Sequence, residues 1–572
     1  MACKYIASVI PTIQTQKPYI KTQNRPEKRV STYKPNIWKY DHLLSLSSQY
    51  SEKKYQMEVE KLKEEVVSCK FSKKNDDSTP MAMLELVDTI DKFGLSSYFY
   101  VQSKVALEKI NMCMKSSSSK EEDPYATALC FRLLREHGYH ASQDMLKELF
   151  DSEGGVLTKK ASDLKTLLEF LEVSYLSMDG ENLLSDIRLV SIKNLKSLLC
   201  TSSDNIDVIF AKEYLNHPSA WRVGWYDVRR HMMFAQQANN NTNPALLNLA
   251  KLNFNIIQST HQKDLKDVIR WWKNLDLVDD LFFARDRIVE CFFFAAGIAP
   301  EPQHGNIRKW VTKVFQLVLI IDDVYDIYGS LADVQQFTFA LDKWDPNEEE
   351  CLPGCMEVSF RALYHTIQEI SAEIDHQQKG SGPSALPYLK QGWVNFCKAM
   401  LVEAIWYHEG HIPTLEEYLN NGWISSTVPL LSDYVIYGLT NKITNETLDS
   451  SKNFQEIIYL ASIIFRLCND HGTTKAELER GDVASSIICY MQQENVSEDV
   501  AREHMESIIL NSWKKINYHF NTLSASDREI AKHVINIARM GHVMYQFGDG
   551  FGVQEGKTRD QIQINLIEPI TI

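Results

Sequence analysis

Apolar residues recur at helical spacing along almost the whole chain. In residues 81–99 and 126–139 they return about every 3.6 positions, and Gly94 and Gly138 stand near the ends of these two runs. No series of short segments alternates between apolar and polar residues, as the strands of a sheet would. The pattern therefore predicts an all-α protein.

A polar segment that disfavours helix interrupts this pattern near the middle of the chain. Residues 236–244 read Gln-Gln-Ala-Asn-Asn-Asn-Thr-Asn-Pro, and such runs of Asn, Thr and Pro favour loops. The 572 residues also exceed the size of one typical domain. We therefore expect two helical domains, an N-terminal one over residues 28–238 and a C-terminal one over residues 245–572.

The apolar run 318–321 ends in three carboxylates, Asp322, Asp323 and Asp326. A helix that is apolar on every face is buried, so we expect its carboxylates to open onto a cavity rather than to form a solvated helix end. Asp322 and Asp326 are four residues apart and project from one face of a helix. Their mutual repulsion favours a bound cation, and Mg²⁺ that bridges to phosphate oxygens is the predicted occupant.

A second group of oxygen ligands follows in the C-terminal half. Asn469, Thr473 and Glu477 are spaced four apart, so a helix would stack an amide, a hydroxyl and a carboxylate in one column. This combination suits a hard cation, although oxygen ligands alone do not distinguish Mg²⁺ from Mn²⁺. Gly472 inside the column weakens a helix, which indicates a close contact or an access route there. By itself such a column is usually a polar helix face, but beside the aspartate cluster it indicates metal binding.

Two arginines, Arg285 and Arg287, lie close to phenylalanines in residues 282–290. Guanidinium groups match the geometry of phosphate and keep their charge. Because a buried, unpaired charge would be unfavourable, we expect either an anionic ligand or a buried carboxylate as the partner.

Composition argues against some classes of function. The net charge is −14 and no basic tract is present, which argues against nucleic-acid binding. No apolar run reaches the length of a membrane span. The first thirty residues carry six basic side chains and one acid, with Ser and Thr interspersed. This is typical of an organelle transit peptide, expected over residues 1–27, although a disordered N-terminus has a similar composition.

Several of these motifs, in this order, resemble those of the plant terpene synthases. The resemblance covers nearly the whole chain and rests on the aspartate cluster, the Asn/Thr/Glu column, the Arg285–Arg287 triplet and the stretches 133–139, 270–272 and 548–552. It implies an N-terminal relic α-barrel domain and a C-terminal class I terpenoid synthase helical bundle. It also implies three Mg²⁺ ions, with Mn²⁺ as an alternative, held by Asp322, Asp323, Asp326, Asn469, Asp470, Thr473 and Glu477.

The resemblance further implies a reaction and roles for individual residues. The substrate would be a prenyl diphosphate, which ionises to an allylic cation and pyrophosphate in a pocket walled by aromatic rings. Arg285, Arg287 and Arg466 would hold the departing pyrophosphate, and Trp272 and Tyr545 would line the pocket. Among other classes, a chain-elongating prenyltransferase typically carries two aspartate-rich motifs, and a helical scaffold would need neither metal cluster.

Two phenylalanines bear on the length of the substrate. Phe315 lies seven residues before Asp322 and Phe465 lies four before Asn469, so each shares a helix face with a predicted metal ligand. Two such rings would shorten the pocket, although ordinary core packing would also explain both. Among terpene synthases, the pair looks like the arrangement in isoprene synthases.

Three further positions refine this comparison. Ser426 also matches the isoprene synthase pattern, whereas Ser485 stands where asparagine is typical of isoprene synthases and Phe294 where tryptophan is common in the family. We therefore expect conversion of dimethylallyl diphosphate to isoprene. An acyclic monoterpene synthase that makes ocimene, myrcene or linalool from geranyl diphosphate is the alternative. A plastid enzyme, monomeric or homodimeric, is expected.

Overall fold

The computed structural model describes residues 33–71, 79–116, 123–151, 156–157, 163–201, 206–237, 243–277, 280–378, 383–440, 445–480 and 484–572. The predicted transit segment 1–27 and residues 238–242 of the polar segment lie outside the described residues. The described chain is helical almost throughout and forms two compact units. The predicted all-α fold is confirmed.

The helices of the first half of the chain are α1 (Tyr40–Ser45), α2 (Lys53–Lys70), α3 (Pro80–Lys92), α4 (Tyr100–Ser116), α5 (Pro124–Glu136), α6 (Leu164–Ser174), α7 (Asn182–Thr201), α8 (Ile206–Asn216), α9 (Gly224–Gln237) and α10 (Pro244–Leu275). One compact unit comprises Leu46–Lys263, Trp513–Thr522 and Asp560–Ile572. It also contains a short antiparallel pair, β1 (Phe150–Asp151) with β2 (Val156–Leu157).

Local sequence sets where helices of this unit begin and how its interior charges are matched. Asp123 and Asp163 accept hydrogen bonds from N–H groups in the first turns of α5 and α6. Inside the unit the buried Arg132 pairs with Glu169 (Nε to Oε1, 2.6 Å) and with Asp88 (Nη2 to Oδ1, 2.7 Å). The charge of this arginine is therefore compensated where it would otherwise be unfavourable.

The helices of the second half are α11 (Ile288–Ile298), α12 (Gly305–Asp323), α13 (Leu331–Lys343), α14 (Cys355–Gln377), α15 (Leu386–Glu409), α16 (Leu415–Ser425), α17 (Val428–Leu439), α18 (Asn445–Arg480), α19 (Ser486–Glu494), α20 (Glu498–Thr522), α21 (Ala525–Tyr545) and α22 (Lys557–Ile562). The other compact unit comprises Met1–Ser45, Asp264–Ser512 and Leu523–Arg559. None of the helices in the described part of the chain is both long and apolar enough to cross a membrane.

Buried helices of this second unit position the predicted site. α12 packs against α11, and α21 packs against both α11 and α18. Every residue of α11 is buried, as is the run 318–321 in α12, which confirms the burial predicted for that run. A Cβ atom at Gly541 of α21 would lie 3.0 Å from Phe465 Cδ2 of α18, so glycine permits the close approach of these two helices.

Candidate active site

The aspartate cluster lies where α12 ends. Asp322 and Asp323 close the helix, and Asp326 follows in a π-helical turn, Val324–Tyr328. The side chain of Asp323 is 1 % exposed, whereas that of Asp322 is 35 % exposed and Asp326 lies on the surface. Neighbouring residues of a helix point in different directions, so Asp322 and Asp326 face accessible space while Asp323 faces the interior.

Arg285 is bound to this cluster. Its backbone N–H donates to Asp323 Oδ2 at 2.8 Å, and its Nη2 lies 2.9 Å from Asp323 Oδ1 and also contacts Asp322. A buried carboxylate partner, one of the two expected for this arginine, is therefore present. Burial raises the pKa of Asp323 to about 6, and Arg285 opposes that shift. Burial alone would lower the pKa of Arg285, but Asp323 and Asp322 raise it well above its ordinary value.

Arg287 binds backbone carbonyls. It is 1 % exposed, and its Nε donates to the carbonyl of Phe551 at 2.8 Å. Its Nη1 and Nη2 donate to the carbonyls of Asp286 (2.8 Å) and Lys34 (3.1 Å). The structure therefore uses this guanidinium to hold three backbone segments, whereas the sequence predicted a contact with pyrophosphate.

The second cluster lies on α18. Asn469 and Thr473 occupy successive turns, and Thr473 Oγ1 donates to the backbone carbonyl of Asn469 at 2.9 Å. Arg466 Nη1 donates to Asn469 Oδ1 at 3.3 Å. Glu477 continues the same helix, but its side chain lies outside the described residues. The structure thus brings the amide, the hydroxyl and Arg466 together on one stretch of α18.

Asp470 lies on another face of α18. It is 1 % exposed, and its two oxygens accept hydrogen bonds from the Tyr418 hydroxyl and from Ser486 N–H, each at 2.9 Å. Like Asp323, it is a carboxylate whose partners lie within the protein. Both residues were predicted as metal ligands, and in the structure both carboxylates make contacts within the protein.

Glu403 on α15, which no motif singles out, completes this side of the site. It accepts a hydrogen bond from the Ser425 hydroxyl and lies 3.7 Å from Arg466 Nη2, which donates to Ser425 Oγ at 2.8 Å. Burial raises the pKa of Glu403, Arg466 opposes the shift and Asp322 adds to it. The influence of Asp322 indicates that the aspartate cluster and Arg466 surround one site. The signal in the sequence is a lone carboxylate in the otherwise apolar run 399–406.

Five aromatic rings form a continuous cluster in the same unit. The ring centroid of Phe294 lies 4.5 Å from that of Phe315 and 5.8 Å from that of Phe465. Phe551, which lies in the stretch 548–552 that carries part of the family resemblance, is 4.8 Å from Phe315, and Tyr545 lies 5.7 Å from Phe465. These separations are typical of packed aromatic pairs. We call these residues the five-ring cluster, in which Phe294 contacts both phenylalanines that bear on substrate length.

Tyr545 connects the five-ring cluster to the charged groups. Burial raises its pKa well above the ordinary value, and the carboxylates of Asp549 and Asp322 add to this shift. The guanidinium groups of Arg285 and Arg466 act in the opposite direction. The Tyr545 hydroxyl therefore lies within electrostatic reach of Asp322, Arg285 and Arg466.

Three other residues noted in the sequence have different surroundings. Trp272 is 4 % exposed and its ring lies 6.1 Å from that of Trp271; among the described residues it makes no ring contact with the five-ring cluster. Ser426 Oγ donates to the carbonyl of Trp423 at 2.8 Å, beside the break between α16 and α17. Ser485 is the N-cap of α19 and accepts a backbone N–H of its first turn. Its departure from the isoprene synthase pattern therefore coincides with a helix-capping role.

The donor atoms that the two clusters offer are all oxygen atoms. Asp322 and Asp326 offer carboxylates, Asn469 offers an amide, and Thr473 offers a hydroxyl. This set fits a hard divalent cation such as Mg²⁺ and contains none of the sulfur or imidazole ligands that softer ions prefer. The residues present therefore fit the predicted ion.

Comparisons with known proteins agree with this arrangement. Residues 273–515 match the family model "Terpene synthase family, metal binding domain", and residues 37–213 match "Terpene synthase, N-terminal domain". Alpha-farnesene synthase of Ricinus communis is 42 % identical, with 96 % of each chain covered. (E,E)-alpha-farnesene synthase of Malus domestica is 42 % identical (95 % of this chain, 94 % of the relative). Tricyclene synthase TPS4, chloroplastic, of Medicago truncatula is 38 % identical (96 % and 94 %).

Solved structures show the same likeness. A structure of limonene synthase with 2-fluorolinalyl diphosphate aligns with a TM-score of 0.89 and 33 % identity, covering 95 % of this chain and 100 % of that one. Isoprene synthase from grey poplar leaves (Populus x canescens), in complex with three Mg²⁺ ions and dimethylallyl-S-thiolodiphosphate, aligns with a TM-score of 0.83 and 34 % identity, covering 94 % and 99 %.

Proposed function

Since this chain belongs to the terpene synthase family, we propose that it ionises an allylic prenyl diphosphate and eliminates a proton to give an acyclic diene. The observation that carries the proposal is a set of metal donors made only of oxygen atoms beside the five-ring cluster. The charge of Asp322, one of these donors, acts on Tyr545 of that cluster. The favoured substrate is dimethylallyl diphosphate, and the products are then isoprene and pyrophosphate.

The divalent ions, three by family resemblance, are assigned to five side chains: Asp322, Asp326, Asn469, Thr473 and Glu477. Mg²⁺ is the favoured ion because the donors are hard oxygens, and Mn²⁺ is the alternative. When bound, these ions would supply positive charge to the diphosphate leaving group. Asp323 and Asp470 are assigned supporting roles, since their carboxylates make contacts inside the protein.

The diphosphate is assigned to Arg285 and Arg466. Both guanidinium groups are largely buried, and their present partners are the carboxylates Asp322, Asp323 and Glu403. Phosphate oxygens match the same donor geometry, so a diphosphate would share these donors. Arg287 is a positioning residue in this proposal because its donors are bound to three backbone carbonyls.

The reaction consists of two bond changes on the substrate. The allylic C–O bond breaks, and its electron pair leaves with the pyrophosphate. The negative faces of the surrounding rings stabilise the allylic cation that is left. A methyl proton then passes to the pyrophosphate held by the arginines, and the C–H electron pair forms the second double bond. Rings of the five-ring cluster would exclude water from the cation, which favours elimination over hydration.

A row of packed aromatic rings supports a five-carbon substrate. Phe315, Phe294 and Phe465 form a contiguous row of rings with centroids 4.5 and 5.8 Å apart. A longer prenyl chain would have to displace part of this row, whereas a five-carbon chain would not. Phe294 stands where tryptophan is common in the family. Because phenylalanine is smaller than tryptophan, this position leaves more room for a substrate, which opposes the restriction by the other rings.

The test supplies dimethylallyl, geranyl and farnesyl diphosphates separately in sealed vials. The protein would begin at Lys28 and would be assayed with Mg²⁺, with headspace and solvent extract analysed by gas chromatography and mass spectrometry. Isoprene as the dominant product would support the proposal in full. A ten- or fifteen-carbon acyclic product would reject the five-carbon substrate and keep the ionisation mechanism. Absence of pyrophosphate release with all three substrates would reject the proposed function.

A longer acyclic product is the second candidate. It is favoured by the 42 % identity to two proteins named as alpha-farnesene synthases, which exceeds the 34 % identity to isoprene synthase of grey poplar. Farnesene, like ocimene and myrcene, requires ionisation and proton loss without ring closure, so the same side chains would serve. The comparison of three substrates decides between the two candidates.

We further propose a plastid location, with a mature chain that begins near Lys28 and domains over residues 28–238 and 245–572. The basic, acid-poor N-terminus supports import, and three relatives are named as chloroplastic. Fluorescence from a fusion of residues 1–27 to a reporter protein should accumulate in plastids. Diffuse cytosolic fluorescence would reject this part of the proposal. Light scattering would decide between monomer and homodimer.

A further inference from the structure

Three potential metal ligands meet in the second unit, apart from the residues assigned to the proposed reaction. Glu301 precedes a short 3₁₀ turn, Pro302–His304, that leads into α12, His304 is the last residue of that turn, and His533 lies on α21. One donor atom from each lies within 4.8 Å of the others. His533 Nε2 is 3.2 Å from Glu301 Oε2, and the rings of His304 and His533 have centroids 5.2 Å apart.

The orientation of His533 is that of a metal ligand. Its Nδ1 lies 2.8 Å from the backbone carbonyl of Glu529. Because a carbonyl oxygen only accepts hydrogen bonds, Nδ1 carries the proton, and the lone pair of a neutral ring is then on Nε2, which faces Glu301. Ligating histidines usually donate their second ring N–H to such a group, which fixes both the ring and its tautomer. His533 is 5 % exposed, so its ring is also held by packing.

The turn that carries the other two ligands is held in place from inside. Arg308, which is 0 % exposed, donates Nη1 to the carbonyls of Ala299 and Glu301, each at 2.6 Å, and Nη2 to that of Pro302 at 3.3 Å. Its charge is matched by Asp264, at 2.7 Å. A rigid support of this kind fixes Glu301 and His304 before any ligand binds.

We propose that Glu301, His304 and His533 bind one divalent ion of the Zn²⁺ class. Two imidazoles and one carboxylate are ligands that Zn²⁺ accepts, whereas Mg²⁺ prefers oxygen alone. In a tetrahedral site with Zn–N and Zn–O bonds near 2.1 Å, neighbouring donors lie about 3.4 Å apart. The 3.2 Å between His533 Nε2 and Glu301 Oε2 is close to that separation.

The bound ion would tie the start of α12 to α21. α12 carries Asp322 at its far end, and α21 ends at Tyr545, so the tie joins two helices that form the candidate active site. Its main effect would be on stability, because Glu301 and His304 precede the first residue of α12 and are not among the groups assigned to the substrate. The competing explanation is a plain ion pair between Glu301 and protonated His533.

Metal titration of the whole chain separates these two explanations. Excess Mg²⁺ would be present to occupy the oxygen clusters, and a non-thiol reductant would keep the cysteines reduced. Zn²⁺ would be titrated by calorimetry into the wild type, His304→Ala and His411→Ala, the last being a matched control at an exposed histidine elsewhere. We expect His304→Ala to lose one equivalent of Zn²⁺ and the Zn²⁺-dependent rise in its melting temperature, while the control retains both.

Co²⁺ provides an independent readout. A site with nitrogen and oxygen donors gives visible d–d bands without the thiolate charge-transfer band that a cysteine site would show. Loss of these bands in His304→Ala, and in His533→Gln as a second variant, would support the proposal. His304→Ala leaves the Glu301–His533 contact in place, so the plain ion pair predicts no change in either experiment. Unchanged Zn²⁺ stoichiometry and unchanged Co²⁺ bands in this variant would overturn the proposal.

Discussion

Phe315 decides, on the proposed function, how long a prenyl chain the pocket admits. It contacts Phe294 at 4.5 Å and Phe551 at 4.8 Å between ring centroids. Phe315→Ala should open this end of the pocket. We expect the ratio of kcat/KM for geranyl diphosphate to that for dimethylallyl diphosphate to rise about tenfold, equivalent to about 1.4 kcal/mol of differential transition-state binding.

The control for this change is Phe292→Ala. Phe292 is equally buried on α11 but has no ring contact with the five-ring cluster within the described chain. Both variants should lose stability, by about 3–5 kcal/mol for a buried Phe→Ala change, and thermal melting would measure this. Only the first should shift the substrate ratio, and an unchanged ratio in Phe315→Ala would contradict the steric explanation.

Asp323 and Asp326 belong to one motif, yet the structure gives them different environments. Asp323 is 1 % exposed and paired with Arg285, whereas Asp326 is exposed. Asp323→Asn should leave a buried arginine poorly compensated and lower the free energy of unfolding by about 3 kcal/mol. Asp326→Asn should leave stability within about 0.5 kcal/mol and lower Mg²⁺-dependent turnover. Melting without Mg²⁺ and initial rates with it measure the two effects, and normal stability in Asp323→Asn would contradict the structural role of its pairing with Arg285.

Whether the role of a site residue can be predicted from the sequence depends on how close in sequence its contacts lie. Asp322 and Asp326 share a helix face through a spacing of four, which the sequence shows directly. The partner of Asp323 is Arg285, which lies 38 residues earlier in the sequence. The sequence alone therefore left two possible partners for Arg285, an anionic ligand and a buried carboxylate. Glu403 joins the site only through tertiary packing of a segment that contains none of the motifs. Phe551 lies in the stretch 548–552 noted in the sequence, but nothing in that stretch indicates that its ring packs against Phe315.

At the scale of elements, Gly472 shows how closely α18 approaches the end of α21. A Cβ atom there would lie 3.1 Å from Tyr545 Cβ, 3.1 Å from the Tyr545 carbonyl and 3.2 Å from the Gly548 carbonyl. Two of these atoms are backbone and cannot rotate away, so Gly472→Ala should push α18 outward. We expect a loss of about 1–2 kcal/mol, since overpacking exceeds the gain in helix propensity.

The matched control is Gly224→Ala in α9, where an added Cβ meets open space. This change should stabilise the protein slightly or leave it unchanged, because alanine favours helix. Thermal melting compares the two variants. Gly472→Ala should also lower turnover, since Asn469 and Thr473 lie on the displaced turns, and a Gly472→Ala protein as stable and active as the control would contradict the close packing.

Two helical repeats and the polar segment between α9 and α10 were predicted, whereas the break between α16 and α17 was not. The apolar repeats over residues 81–99 and 126–139 are local signals, and α3 and α5 overlap these stretches. The break between α16 and α17 depends on Thr427, a β-branched residue in a left-handed conformation with φ of 70°. Such a backbone is imposed by the surrounding fold, and propensity argues against it. The two-residue strands β1 and β2 are too short to produce an alternating pattern.

At the scale of the whole molecule, the helical pattern and the chain length predicted two helical domains, but not which segments of the chain belong to each compact unit. Residues 33–45 group with the unit that contains the candidate active site. Trp38 Nε1 donates to Glu290 Oε1 at 2.7 Å, and Asn36 Nδ2 donates to Asp286 Oδ2 at 3.2 Å. These contacts span about 250 residues of sequence, and no local pattern of apolar and polar residues carries information on such pairs.

The stability of the whole chain should depend on pH through Glu172 on α6. It is 7 % exposed and accepts a hydrogen bond from Ser219 N–H at 3.0 Å. Burial raises its pKa from 4.5 to about 7, so the folded protein binds this proton more tightly than the unfolded chain does. The favourable contribution is present below pH 4.5 and is lost as the pH rises through 7, which amounts to about 3 kcal/mol.

Glu172→Gln removes the charge and keeps an acceptor for Ser219. The melting temperature of this variant should exceed that of the wild type by several degrees at pH 8 and should approach it near pH 5, where the wild-type carboxyl is protonated in the folded state. Glu148→Gln, at an exposed position of the same unit, should leave the melting temperature nearly unchanged at both pH values. An equal difference between Glu172→Gln and wild type at pH 5 and pH 8 would show that the gain comes from packing, because only an ionisation makes it depend on pH.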